Sequence, residues 1–90
     1  MITTETIGNT SEQAASVLEK WVNRLNAFVY SLQKKKKKPL IIYEAKALAD
    51  LLWEIRHELL TDQRNAESAM GILHTPQGRA ILDACVKAGY

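Results

Sequence analysis

The sequence predicts an all-α fold: an antiparallel helical hairpin, about residues 10–36 and 39–61, with one or two short C-terminal helices packed on it as a small bundle. Three observations carry that reading. Two apolar seams repeat with the same 4-3-4-3-4 steps, and strand-like alternation is missing. In addition, 90 residues hold only four glycines and two prolines, so few positions can interrupt a helix.

Residues 1–9 read as a flexible lead, with Gly8 and Asn9 as breakers, ahead of a single domain over residues 10–90. "TSEQ" follows as a capping box, in which Thr10 accepts from the Gln13 amide and the Gln13 side chain reaches back to Thr10. Ala14, Leu18, Trp21, Leu25, Phe28 and Leu32 then form the first seam, widened by Ala15, Val22 and Val29 one heptad apart. Trp21, on that seam, is expected in the core.

Pro39 is expected at the first position of the second helix, where its missing N–H costs nothing. Ile41, Ala45, Leu48, Leu52, Ile55 and Leu59 continue the pattern, so "LIIY" reads as helix despite its strand-like composition. A short connection between two equal seams makes them antiparallel neighbours. A second stripe, Ile42, Ala49, Trp53 and Leu60, lies about 100° from the main seam at 100° per residue. A two-helix hairpin cannot cover both stripes, so the C-terminal third or another subunit is expected there.

"TDQRN", residues 61–65, is polar on every side and either ends the second helix or carries it through solvent. Ala66, Ala69, Met70 and Leu73, and again Ile81, Ala84, Cys85 and Ala88, show i, i+3, i+4, i+7 spacing. Between them Thr75 is an N-cap with Pro76 next, and Gly89 is a natural stop.

The formal charge of +2 is unevenly spread. Lys20, Arg24, Lys34 to Lys38 and Lys46 are eight of the twelve basic residues, and Glu44 is the only acid between Lys20 and Lys46. The run Lys34, Lys35, Lys36, Lys37, Lys38, with Lys46, is therefore a candidate anion or nucleic-acid site, because phosphate attraction needs only clustered charge. Its structural alternative is a solvated bend whose lysines complement the negative end of the first helix. No aromatic residue interrupts the run to offer a stacking platform.

Glu54 and His57 have the Glu-x-x-His spacing of carboxylate-bridged metal bundles, but they lie about 140° and 160° from the seam centre and point outward. A surface where Glu54 and Glu58 face Arg56 and Asp50 is the expected alternative, and no metal or cofactor is expected. His74 and Cys85 lack the third group that a nucleophile and base need. Cys85 reads as a small core residue and His74 as a helix-end residue near the last carbonyls. No glycine-rich phosphate loop, CxxC or G-x-S-x-G is present, so no enzyme is expected.

No apolar run approaches the roughly 18–20 residues that span a membrane, so no membrane is among the expected partners. "MITTETIGNTSEQ" lacks the basic and apolar parts of a secretory signal, and a lone cysteine suits a reducing cytoplasm. A chain this short buries only about 60–65% of its unfolded surface, so association, including a homodimer, would help it. These readings imply a small non-catalytic protein-binding protein, an adaptor or an inhibitor or regulator, like those of phages and mobile elements. Its partner would meet Ile42, Trp53 and Leu60. The alternative is a nucleic-acid or nucleotide-binding protein using Lys34 to Lys38.

Overall fold

The computed structural model describes residues 11–37 and 39–90. The chain runs α1 (Ser11–Gln33), α2 (Ile41–Leu60), α3 (Ala66–Gly71), a 3-10 turn (Ile72–His74) and α4 (Pro76–Lys87). No strand occurs among the described residues. Helices α1 and α2 form the expected hairpin, and the C-terminal helices pack on it, in a body of 54 × 23 × 20 Å.

The seams meet in one core. Leu18, Leu25, Leu52, Ile55 and Leu59 are fully enclosed, with Val22, Phe28, Val29 and Leu32 of α1 beside them. Trp21 departs from expectation: it is only partly buried, and the Arg24 guanidinium lies 4.3 Å from its ring centroid. The ring thus covers the core with one part and serves as a cation–π platform with another. In α4, Leu82 joins Ile81 and Cys85 in the core, whereas Ala88 of the expected stripe is exposed because the helix has already ended.

Two helix ends differ from the sequence reading. Helix α1 stops at Gln33, so no lysine lies in its last turn. Lys34 and Lys35 instead donate to the carbonyls of Ser31 and Leu32 at 3.3 and 3.2 Å, the tightened i to i−3 pattern of a fraying end. Repulsion between successive lysines opposes further helix, and the coming proline restricts it too. Pro39 precedes α2 rather than opening it; its carbonyl accepts from Ile42 N at 3.1 Å. Thr10 and Lys38 lie outside the described residues, as does the lead over residues 1–9.

Helix α2 ends at Leu60, and "TDQRN" supplies its C-terminal cap. Gln63 N donates to Glu58 O at 2.8 Å and Asp62 N to Leu59 O at 3.3 Å, with Asp62 at φ 60°. This is a Schellman end in which the left-handed position, usually glycine, is aspartate. Relieving that strain with Asp62→Gly is expected to raise stability by about 0.5–1 kcal/mol, read as a higher urea midpoint at unchanged slope. Beyond it Asn65 caps α3, its Oδ1 accepting from Ser68 N at 2.7 Å. Thr75 caps α4 as expected, and Gly89 at φ 92° ends it with Tyr90 N donating to Cys85 O at 3.1 Å.

Candidate protein-binding groove

Helix α4 leaves an open groove along the first half of α2. Its walls are Ile41, Ala47, Leu48 and Leu51 of α2 against Ile72 and Ile81, and its volume is about 530 Å³. The small residues Ala47, Gly78 and Ala80 all line it, so the two helices do not fill the space between them. Among the described residues, Glu44 is the only charged one on the lining. Such a cleft is mostly apolar with few polar groups, the usual make-up of a recognition pocket.

The opposite flank of α2 carries the second stripe, which the fold divides. Ile42 and Ala49 are buried, at 5% and 2% exposure, within the same cluster as the seams. Ile42 therefore has no surface to offer a partner. Trp53 and Leu60 remain 42% and 48% exposed. The Arg56 guanidinium stands 4.7 Å from the Trp53 ring centroid, and His57 meets that ring edge-on at 5.2 Å. Arg56 also reaches across to Glu19 of α1 at 3.4 Å. The C-terminal helices cover the other flank, since Glu44 and Leu51 on the groove side lie about 180–200° from Trp53 at 100° per residue.

At the hairpin tip Lys34, Lys35, Lys36 and Lys37 are exposed in the turn, and Lys46 is exposed on α2. Aromatic residues do lie beside this cluster, although none interrupts the run: Tyr30 and Tyr43 are 62% and 66% exposed, and Lys34 Nζ sits 4.3 Å from the Tyr30 centroid. The fold brings them to one end of the molecule from different helices.

Glu54 and His57 are both exposed, and among the described residues no three His, Cys, Asp or Glu side chains group as metal ligands. The ion pairs on this side differ from those expected: Arg56 takes Glu19, and Glu58 takes Arg64 at 2.6 Å. Cys85 is fully buried, and its thiol donates to the Arg24 carbonyl at 3.6 Å. Burial pushes that thiol above its ordinary value, with the nearby Arg24 charge pulling the other way. A protonated, enclosed thiol is a packing group and a poor nucleophile. His74 is exposed at the end of the 3-10 turn, and α4 follows it at once.

The groove was not legible in the sequence. Its α2 wall falls on no named stripe beyond the seam residues Ile41 and Leu48, and the exposed Leu51 was the one available signal. No protein-family model matches the chain, and neither the curated proteins nor the solved structures contain a significant match to it.

Proposed function

We propose that this chain is a small non-catalytic protein-binding protein, an adaptor or an inhibitor or regulator, whose partner docks in the groove between α2 and α4. The observation that carries the reading is the groove itself, an open apolar cleft of about 530 Å³ on an otherwise well-closed core. A groove between helices suits the apolar face of an amphipathic helix. Glu44, the one charged residue among the described lining, favours a basic residue on that helix. Leu51, 42% exposed on the rim, supplies an anchor. The reducing cytoplasm fits this reading, because the only cysteine is enclosed and unpaired.

The test is affinity capture with wild type, Leu51→Lys, Trp53→Ala and the triple variant Lys35→Gln, Lys36→Gln, Lys37→Gln, each after nuclease treatment. A captured protein should bind Leu51→Lys about 30-fold more weakly or worse, the loss of a hot spot worth about 2 kcal/mol or more. Helical circular dichroism should stay intact. Retention by Leu51→Lys, or loss of the partner on nuclease treatment, contradicts the groove. Loss in Trp53→Ala alone would move docking to the Trp53 and Leu60 flank. Sedimentation of the chain alone separates a second copy from a different protein as occupant.

A further inference from the structure

Leu40 is 82% exposed, more than any other large apolar residue described, and it stands at the turn between Pro39 and the first residue of α2. Its side chain caps nothing. Around it the turn places four exposed lysines, Lys34 to Lys37, with Lys46 about 7.5 Å further along α2 than Ile41 at 1.5 Å per residue. Glu44 is the only acid between Lys20 and Lys46.

The tyrosines fix how this end could be used. Tyr30 lies three residues before the end of α1 and Tyr43 two residues after the start of α2. At 1.5 Å per residue both are within about 5 Å of the tip, at nearly one depth. Tyr43 points about 175° from the centre of the α2 buried face, directly away from the core. Apolar and aromatic groups thus surround an end; they do not line one side. A nucleic-acid strand tracks a groove and stacks its bases along it. Lys34 already covers one face of Tyr30, and Leu40 has no part in binding phosphates.

We propose that the hairpin tip is a docking point for an anionic lipid surface, with Leu40 as an apolar wedge, Tyr30 and Tyr43 at headgroup level and the lysines as an electrostatic collar. Tyrosine favours the membrane–water interface, and lysine keeps its ammonium at the headgroups while its stem lies on apolar surface. Docking of this kind enters only the outer part of a leaflet. It is therefore compatible with the fact that no helix among the described residues is long and apolar enough to cross a membrane. It is independent of the groove.

The probes are vesicles of phosphatidylcholine alone and of phosphatidylcholine with phosphatidylserine, in co-sedimentation with the full chain across a salt series. Random-sequence single-stranded RNA is tested in parallel. Wild type should bind the phosphatidylserine vesicles at low salt and lose them as salt rises, and leave phosphatidylcholine alone unbound. Each lysine contributes about fivefold near an anionic leaflet, so the triple variant Lys35→Gln, Lys36→Gln, Lys37→Gln should bind about 100-fold more weakly. Leu40→Ser should cost about tenfold while leaving the salt dependence and the fold unchanged. Equal vesicle binding by wild type and Leu40→Ser overturns the proposal, because charge alone would then suffice. Binding to RNA without binding to vesicles, or no vesicle binding at low salt, overturns it as well.

Discussion

Leu25→Ala and Leu52→Ala are each expected to lower stability by about 2–5 kcal/mol, measured by urea unfolding followed through circular dichroism. Both side chains have 0% exposure and lie at the centre of the two seams, on facing helices. Truncation removes their transfer free energy and leaves a cavity that two long helices cannot easily collapse. A domain of this size holds about 5–15 kcal/mol in total, so the double variant should lose a large part of its stability. Because both sites share one core, their costs need not add, and the departure from additivity reports how closely they are coupled. A loss below about 1 kcal/mol at both would mean that the hairpin core is not built as described.

Gly78→Ala carries the second large effect, for a different reason. A Cβ there would stand 2.8 Å from Ile72 O and 2.8 Å from Thr75 Oγ1. Those two atoms are already committed: Thr75 Oγ1 donates to Ile72 O at 3.0 Å and accepts from Gly78 N at 3.1 Å. The added methyl must therefore displace a backbone carbonyl and the cap of α4 together. The overlap should cost about 1–3 kcal/mol, against the roughly 1 kcal/mol that alanine gains over glycine in a helix, so the net effect is destabilising through most of that range. Gly71 provides the control, since a Cβ there meets nothing within 4 Å. Gly71→Ala should be neutral or stabilising by up to about 1 kcal/mol. Paired unfolding curves of the two variants check the contrast, and a similar response from both would contradict the close approach at Gly78.

The residues that set the hairpin seams and the two ends of α4 were readable because their physics is local. Seam spacing, the Thr75 cap and the Gly89 stop each depend on neighbours within a few positions, and the fold uses all three. What could not be read depends on how separate elements meet. Ile42 and Trp53 share a stripe in sequence, yet one is buried and the other exposed, because the C-terminal helices approach from the far flank. The groove has the same origin: Ala47 and Gly78, 31 positions apart, line one cleft. The end of α1 was misplaced because helical spacing carries no record of repulsion along a lysine run. Leu40 was invisible as a feature until the turn exposed it.

Amide hydrogen exchange on the chain alone and in complex with its captured partner tests the groove most directly. Exchange reports local opening, so a docked helix should slow it over residues 41–51 of α2 and residues 72–81, the 3-10 turn and the start of α4. The core amides near Leu25 and Leu52, already protected, should change little. Slowing confined to residues 53–60, or to the tip over residues 30–40, with the groove segments unchanged, would contradict the account.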